Sequence, residues 1–245
     1  MSQTIRLSVI IPTLQEEKLL ERSLRQFTSE IRDRFALEVI VSDGGSTDQT
    51  LEIARRFADV VVQAQPDVIQ NIPTGRNNGA LAARGEIFIF INADTIVERI
   101  EEFLQALPKA VEDSSVMGAT CSVGVYRDEE RISDKLFHGF CNWYFHLLNK
   151  IGLGMGRGEC HVVRREIFES VHGYKVNIAA GEDFEFFLRL SKLGKIAFLQ
   201  DQRVNESPRR YRRYGYLWIS MLWFANALTV FLFRRSLNRE WTPVR

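Results

Sequence analysis

Short apolar runs alternate with stretches whose apolar residues recur at helical spacing through the first half of the chain. Four of these runs, rich in β-branched residues and bounded by turn residues, predict buried strands at residues 7–11, 38–42, 60–63 and 86–92. Amphipathic stretches predict helices between them at residues 16–27, 51–57 and 76–83. The alternation predicts an α/β fold with a mostly parallel central sheet flanked by helices.

The second half of the chain is less regular. Its pattern predicts helices at residues 100–111, 135–151, 165–171 and 182–193, and strands at residues 116–125 and 195–199. A glycine-rich loop at residues 152–158 follows a helix and not a strand, which argues against a dinucleotide-binding fingerprint. It is either a mobile loop beside a substrate site or a plain helix connection. His161 could contact a metal ion or a substrate, but a lone histidine is more often structural.

The charges of the 245-residue chain nearly cancel, with 32 lysine and arginine residues against 31 aspartate and glutamate residues. No overall field favours a polyanion, so nucleic acid is not an expected partner. The three cysteines are odd in number and widely spaced, which predicts neither disulfides nor a C-x-x-C metal site and fits a reducing compartment. The N-terminal apolar run is too short for a signal peptide, so a cytoplasmic location is expected.

Polar residues cluster where three predicted strands end, and ligands of open α/β sheets bind at such carboxyl ends. Asp43, after the second strand, can accept a hydrogen bond from a base N–H, while Gly44 and Gly45 let the backbone approach a flat ring. The alternative is that these residues only form a turn. Ser46 and Gln49 have the spacing of a capping box, which we expect to start the next helix.

Two further pairs of polar residues have the spacing of a functional site. The side chains of Asn92 and Asp94, two positions apart, leave an extended strand on the same face and could reach one Mg²⁺ or Mn²⁺ ion. Alternatively, they form a strand-end turn in which Asp94 caps the next helix. Glu182 and Asp183 open an amphipathic helix after Gly181. We expect this helix N-terminus to keep a carboxylate ionised and able to accept a proton, although capping alone is the alternative.

In this order, the polar clusters resemble the motifs of the family 2 glycosyltransferases, which have the GT-A (Rossmann-like) fold. The matching segments are Ile11-Pro12-Thr13-Leu14-Gln15-Glu16, Val41-Ser42-Asp43-Gly44-Gly45-Ser46-Thr47-Asp48-Gln49-Thr50, Gly75-Arg76-Asn77-Asn78-Gly79, Asn92-Ala93-Asp94 and Glu182-Asp183. The resemblance covers roughly residues 5 to 200, and the order of the motifs is specific. We expect a GT-A domain at residues 1–205 and a basic, aromatic, helical tail at residues 206–245.

The resemblance implies transfer of a sugar, with inversion, from a UDP- or GDP-sugar to a hydroxyl group of an unidentified acceptor. It implies nucleotide-sugar contacts from Pro12, Thr13, Glu16, Asp43, Arg76, Asn92, Ala93 and Asp94. Asp94 is implied to bind a divalent ion, Mg²⁺ or Mn²⁺, and Asp183 to be the general base, with Glu182 beside it. Arg209 and Arg210 resemble an arginine-rich segment that lies near the donor diphosphate in the family.

Two residues depart from the family pattern. Asn92 stands where aspartate is usual, which removes one anionic ligand and leaves the ion to Asp94 and the diphosphate, and Gln15 replaces the usual asparagine. A catalytically weakened, nucleotide-binding scaffold at a membrane therefore stays open as an alternative. A nucleotidyltransferase is another alternative, but it needs a glycine-rich basic loop that residues 12–18 do not supply.

The tail combines a basic segment at residues 207–213 with a charge-free segment at residues 214–233. About twenty helical residues measure roughly 30 Å, enough to cross a bilayer. The tail could lie in the membrane interface, span the membrane, or pack against the protein or a partner subunit, and the apolar helix at residues 135–151 could join the same surface. At the cytoplasmic face of a membrane, a lipid-linked acceptor becomes attractive.

Overall fold

The computed structural model describes residues 5–65, 70–233 and 235–236, which form one eight-stranded sheet with helices on both faces. The strands are β1 (Leu7–Thr13), β2 (Leu37–Asp43), β3 (Val60–Gln63), β4 (Ile87–Phe90), β5 (Ile96–Val97), β6 (Val116–Val125), β7 (His161–Arg164) and β8 (Lys195–Glu206). The helices are α1 (Leu20–Leu24), α2 (Ser29–Phe35), α3 (Thr50–Phe57), α4 (Ile72–Ala82), α5 (Ile100–Ala110), α6 (Ile132–Lys150), α7 (Arg165–Ser170), α8 (Glu182–Ser191), α9 (Arg209–Tyr214) and α10 (Tyr216–Phe233).

The strands lie in the order β3-β2-β1-β4-β7-β6-β8-β5. β3, β2, β1 and β4 are parallel, as the alternating pattern predicts. β7 is antiparallel to β4 and β6, β8 is parallel to β6, and β5 is antiparallel to β8. The predicted α/β sheet is confirmed, and its second half makes it a mixed sheet.

The register of the strands brings the predicted polar clusters to one edge of the sheet. Thr13 at the end of β1 pairs with Asp43 at the end of β2. On the other side of β1, Ile10 pairs with Phe90 at the end of β4. Since these strands are parallel, the chain leaves all three at the same edge.

The sheet is buried on both faces, because successive residues of a strand point in opposite directions. Val9 and Ile11 of β1 belong to one apolar cluster, which the early helices and α5 cover. Ile10 belongs to a second cluster, on the opposite face, that contains Phe90 of β4 and Phe186 of α8. This second cluster anchors α8, the helix that carries the predicted base, directly against the sheet.

The predicted capping box is wrong. Gln49, and not Ser46, is the N-cap residue of α3, and its side chain makes no capping hydrogen bond. The Ser46 hydroxyl donates instead to Asp43 Oδ1 at 2.5 Å, and Asp48 Oδ1 accepts from the Thr50 N–H at 3.0 Å. A nearby buried carboxylate therefore takes the hydroxyl that the capping box requires.

The predicted helix at residues 16–27 is shorter than expected and a second helix follows it. The Thr28 hydroxyl accepts from the Ile31 N–H and caps α2, a helix that the pattern did not predict. Two short strands, β5 and β7, were not predicted, because two to four residues carry little periodicity.

Candidate active site

Hydrogen bonds join the loops that follow β1 and β2. The side-chain oxygen of Gln15 accepts from the N–H groups of Thr47 and Asp48, both at 3.2 Å. The N–H of Glu16 donates to the Thr50 hydroxyl at 2.7 Å. Gln15 has a φ of 56°, in the left-handed region that asparagine tolerates better than glutamine. The departure from the family pattern therefore strains the backbone, while its side chain holds the two loops together.

Asp43 is fully buried at the end of β2. Its Oδ1 accepts from the hydroxyls of Thr13 (3.1 Å) and Ser46 (2.5 Å), and its Oδ2 accepts from the N–H groups of Gly45 (3.0 Å) and Ser46 (2.9 Å). These four bonds use about all the acceptor capacity of a carboxylate. The structure supports the role of a turn residue, and a contact between Asp43 and the nucleotide base stays a prediction.

Asn92, Ala93 and Asp94 lie on a turn, because β4 ends earlier than expected at Phe90. Ala93 packs in the core, whereas Asn92 and Asp94 are partly exposed and contact different arginines. The geometry predicted from an extended strand is therefore wrong. The alternative of a helix cap is also wrong, since α5 begins only after Arg99.

Arg209 of α9 contacts two of the predicted donor-site residues. Its Nη2 lies 2.8 and 2.9 Å from the two carboxylate oxygens of Glu16 and 3.2 Å from Asp94 Oδ2. Burial raises the pKa of Asp94 to about 6, against the charge of Arg209. Burial also lowers the pKa of the neighbouring Arg210. The tail thus reaches the predicted metal ligand, and the diphosphate contacts of the two arginines stay predictions.

The guanidinium of Arg76 lies buried between the two halves of the site. Its Nη1 donates to Glu182 Oε1 at 3.0 Å, and its Nη2 donates to Asn92 Oδ1 at 3.2 Å and to the Gly158 carbonyl at 2.9 Å. The ring of Tyr174 lies 5.1 Å from the guanidinium carbon. One side chain therefore ties the turn after β4 to the start of α8.

The helix that carries Arg76 packs closely on the end of β1. A Cβ built on Gly75 would lie 3.1 Å from the Cβ of Pro12, closer than side chains normally approach. Gly75 thus lets α4 approach the loop after β1, where Pro12 is partly exposed. This packing does not test the predicted contact between Pro12 and the nucleotide, which stays a prediction.

Glu182 and Asp183 open α8 directly after Gly181, which has a φ of 82°. Asp183 Oδ1 accepts from the N–H of Phe184 at 2.8 Å. Burial raises the pKa of Glu182 to about 7, the charge of Asp183 raises it further, and Arg76 opposes both. Burial likewise raises the pKa of Asp183. Burial therefore opposes the effect of the helix N-terminus on these pKa values, and the ionised state of Asp183 that the base role requires stays a prediction.

Gly158 is the last residue of the predicted glycine-rich loop, and Glu159, which was not predicted as a site residue, follows it. A Cβ on Gly158 would lie 3.2 Å from Arg76 Nη2, 3.7 Å from Asn92 Nδ2 and 3.9 Å from Asp183 Oδ2. The glycine-rich loop therefore ends inside the site, between the predicted donor and base residues. In the sequence, this part of the site is marked only by Glu159, a charged residue directly after the last glycine of the loop.

His161 has a structural environment, as expected for a lone histidine. Its Nδ1 lies 2.6 Å from the hydroxyl of Tyr174, and its ring centroid lies 4.9 Å from that of Phe187. It is fully buried, and burial lowers its pKa well below the usual range. The histidine thus packs beneath the site as a neutral ring.

The donor side of the site offers oxygen atoms, which suit Mg²⁺ or Mn²⁺ in their chemistry. Within residues 5–65, 70–233 and 235–236, no group of three or more histidine, cysteine, aspartate or glutamate side chains forms a complete metal site. A hard ion at a diphosphate needs only one or two carboxylates from the protein. The carboxylate of Asp94, with those of Glu16 and Glu159 within electrostatic reach, is suited to bind a divalent ion that is shared with the donor diphosphate.

The tail helix α10 buries only one narrow stripe. Among the described residues, α10 alone is long and apolar enough to cross a bilayer, with a mean hydropathy of 1.6. Ile219, Asn226 and Val230 are buried, and the last two pack near Gly181. The large side chains that α10 exposes are Leu217, Trp218, Met221, Phe224, Leu228, Phe231, Leu232 and Phe233. Along α6, the exposed apolar side chains are Ile132, Leu136, Phe140, Trp143, Tyr144 and Leu147.

Two relatives match over much of the chain. It is 27% identical over 226 residues to the succinoglycan biosynthesis protein ExoA of Rhizobium meliloti, which covers 85% of this chain and 67% of that protein. It is 29% identical over 164 residues to the dolichyl-phosphate beta-glucosyltransferase of Mus musculus, which covers 60% of this chain and 50% of that protein. The chain thus spans between half and about two thirds of the length of these relatives.

Solved structures share the fold at low sequence identity. The mannosyltransferase PcManGT from Pyrobaculum calidifontis, in complex with GDP-Man and Mn²⁺, superposes with a TM-score of 0.69 at 20% identity over 93% of this chain and 63% of that one. TarS of S. aureus, in complex with UDP-GlcNAc, superposes with a TM-score of 0.60 at 20% identity over 81% of this chain and 58% of that one. The predicted GT-A fold is confirmed.

The sequence profile of glycosyl transferase family 2 matches residues 8–171, which is more than half of the chain. This segment contains the strand-end motifs and Arg76, in the order that the sequence resemblance requires. The chain therefore belongs to glycosyl transferase family 2.

Proposed function

We propose that this protein is an inverting glycosyltransferase that moves a sugar from a UDP- or GDP-sugar to a hydroxyl group of its acceptor. The observation that carries the proposal is the double contact of Arg76, which binds Asn92 on the donor side and Glu182 on the base side. The nucleotide sugars GDP-Man and UDP-GlcNAc, bound in the PcManGT and TarS structures, support a UDP- or GDP-sugar as the donor.

In this proposal, Asp183 is the general base. The acceptor oxygen bonds to the anomeric carbon as the bond from that carbon to the diphosphate breaks, and the hydroxyl proton passes to the Asp183 carboxylate. The nucleoside diphosphate leaves with the electron pair, and a single displacement inverts the anomeric carbon. Glu182 is paired with Arg76, so it positions the start of α8 and does not act as a second acid.

The leaving diphosphate develops negative charge, and the donor side of the site carries the groups that oppose it. A divalent ion held by Asp94 supplies positive charge at the phosphates when it is bound. Arg209 contacts Asp94, Arg210 lies within its electrostatic reach, and the two arginines add two further positive charges. Glu16 holds Arg209 in place through both of its carboxylate oxygens.

Donor binding is tested by the melting temperature of the full chain with UDP, GDP, CMP and TDP, each with and without Mn²⁺. A ligand that binds only the folded state raises the Tm, and at a hundred times its Kd the rise is about 5–10 °C for a chain of this size. We expect this rise with UDP or GDP, and a larger one with Mn²⁺. Asp94→Asn is expected to remove the part that depends on Mn²⁺. No rise with any nucleotide contradicts the proposal and favours a scaffold.

We further propose that the enzyme works at the cytoplasmic face of a membrane on a lipid-linked acceptor. The apolar side chains that α6 and α10 expose support it, and so does a relative named for dolichyl-phosphate, a lipid. Arg213 precedes α10 and Arg235 follows it, so positive charges flank the apolar helix, whereas the charge of Arg212 is paired with the buried Asp134. Such charges favour the anionic surface of a cytoplasmic leaflet.

Membrane binding is tested by co-sedimentation of the full chain with vesicles that contain anionic lipid. The double change Trp218→Ser and Phe224→Ser removes two exposed apolar side chains of α10 and is expected to weaken partitioning by at least about tenfold. Leu81→Ser is the control, because Leu81 is an apolar side chain that is 86% exposed on another helix, α4. Wild-type protein that stays entirely in the supernatant contradicts the proposal.

A further inference from the structure

Glu159 is a buried carboxylate that the reaction proposed above does not use. Its exposed fraction is 9%, and its Oε2 atom is buried without a hydrogen-bond partner. The nearest cation in contact is Arg157, whose Nε lies 3.4 Å from Oε2 without a hydrogen bond. A buried carboxylate oxygen without a hydrogen bond is costly, so its presence calls for a ligand that satisfies it.

Arg157 accounts for Glu159 only in part, because both of its terminal nitrogens contact other groups and only its Nε faces Glu159, without a hydrogen bond. Its Nη2 donates to Glu206 at 2.7 Å and to the Tyr211 hydroxyl at 3.0 Å, and its Nη1 lies 3.0 Å from Nδ1 of His138. Glu206 and Glu159 thus share the buried guanidinium as their positive partner. Glu159 brings a second negative charge to the same place.

Glu159 follows the residue that lies at the centre of the site. Gly158 packs against Arg76, Asn92 and Asp183 through the close approaches described above. After burial, the charge of Glu159 is among the influences that raise the pKa of Asp94 on one side and of Asp183 on the other. The carboxylate therefore lies within electrostatic reach of the donor side and of the base.

The charged groups of the site form three clusters of ion pairs within electrostatic reach of one another, and carboxylates outnumber guanidinium groups. The six carboxylates are those of Glu16, Asp94, Glu159, Glu182, Asp183 and Glu206. The four guanidinium groups are those of Arg76, Arg157, Arg209 and Arg210. With every group ionised the excess is two negative charges, which opposes binding of a diphosphate, although burial raises the pKa of Glu206 well above its usual range and so reduces this excess.

We propose that Glu159 is a second carboxylate ligand of the divalent ion held by Asp94, and that it replaces the anionic ligand lost at Asn92. The amide oxygen of Asn92 already accepts a hydrogen bond from Arg76, so it is poorly placed to serve the ion as well. Glu159 instead carries the unsatisfied oxygen, in the hard-ligand chemistry that Mg²⁺ and Mn²⁺ prefer. This assignment rests on the proposed function, since it requires a donor diphosphate at Asp94.

The test is a titration of the full chain with Mn²⁺, followed by electron paramagnetic resonance of the free ion, at a saturating concentration of the nucleotide that stabilises the wild type. Glu159→Gln keeps the size of the side chain and removes its charge. We expect its Kd for Mn²⁺ to rise by at least about tenfold. Without metal, its Kd for the nucleotide is expected to stay equal or to fall, because a negative charge near the diphosphate is gone.

Tyr211→Phe and Glu185→Gln are the controls. The first removes the hydroxyl bonded to Arg157 and Glu206 without removing a charge, and the second removes a buried, arginine-paired carboxylate of α8. Both are expected to keep the Kd for Mn²⁺ within about twofold of the wild type, since neither removes a ligand. If Glu159→Gln does not fold, Glu159→Asp keeps the charge, withdraws the oxygens, and is expected to weaken Mn²⁺ binding as well.

The outcomes separate this assignment from the proposed function. A wild-type Kd for Mn²⁺ in a folded Glu159→Gln protein overturns the ligand role and leaves donor binding intact. Nucleotide binding that ignores Mn²⁺ in the wild type also overturns it, while the donor site stands. Failure of the wild type to bind any nucleotide instead removes the proposed function itself.

Discussion

The change Asp183→Asn is expected to lower kcat by about 10²–10⁴-fold, the usual contribution of a positioned general base. Asparagine has nearly the same shape and its side-chain oxygen can still accept the Phe184 N–H, so the start of α8 should persist. What disappears is the carboxylate that receives the acceptor proton. The Kd for UDP or GDP with Mn²⁺ is expected to stay within about twofold, since only the proton transfer is affected.

Steady-state turnover of purified protein, with nucleotide release as the readout, checks this expectation. Glu169→Gln is the control, because it removes an exposed carboxylate of α7 and should leave kcat unchanged. Burial raises the pKa of Asp183 above the usual aspartate value near 4. Since only the ionised carboxylate accepts a proton, kcat is expected to fall as the pH decreases towards this raised pKa. Wild-type turnover by Asp183→Asn would remove Asp183 from the mechanism.

The change Arg76→Met is expected to lower the free energy of unfolding by about 3–5 kcal/mol, because it leaves Glu182 buried without its ion partner. It also removes the hydrogen bonds to Asn92 and to the Gly158 carbonyl, so the donor and base sides lose their common contact. Urea unfolding followed by circular dichroism measures the first effect. Turnover of the folded fraction, expected to fall together with donor affinity, measures the second.

Arg84→Met is the matched control, since Arg84 also pairs with a buried glutamate. Glu38 keeps hydrogen bonds from the Ser8 hydroxyl at 2.7 Å and from the Arg84 backbone N–H at 2.5 Å, and the Arg84 side chain is 66% exposed. Loss of the Arg84 side chain is therefore expected to lower the free energy of unfolding by about 1 kcal/mol or less. The double change Arg76→Met and Glu182→Gln should regain part of the stability, because it removes the unpaired charge. Equal losses from Arg76→Met and Arg84→Met contradict the role given to burial.

The sequence was sufficient for the strand-end clusters, because a parallel α/β pattern dictates that successive strands end at one edge. Asp94 and Glu16 were therefore expected to be neighbours, although nothing in their spacing indicated that Arg209 would join them. That contact depends on where the chain returns after β8, more than a hundred residues later. The resemblance implied that Arg209 lies near the donor diphosphate, but its ion pairs with Glu16 and Asp94 follow only from the three-dimensional path of the second half.

The electrostatic state of the site was harder to predict than its location. Helix position alone favoured an ionised Asp183, whereas burial raises its pKa. Likewise, Asp43 matched a base-binding motif, yet its oxygens are already used by its own turn. Burial and hydrogen-bond saturation are properties of the packed molecule, so residue type and spacing do not reveal them.

The order of the strands sets the smallest piece of this chain that can fold as a unit. β8 lies between β6 and β5, so a fragment cut after residue 171, where the family profile ends, would lose an interior strand together with Asp183. A cut after residue 205 would keep most of β8 and remove Arg209. Fragments meant for crystallisation or for fusion to another domain must therefore retain α9.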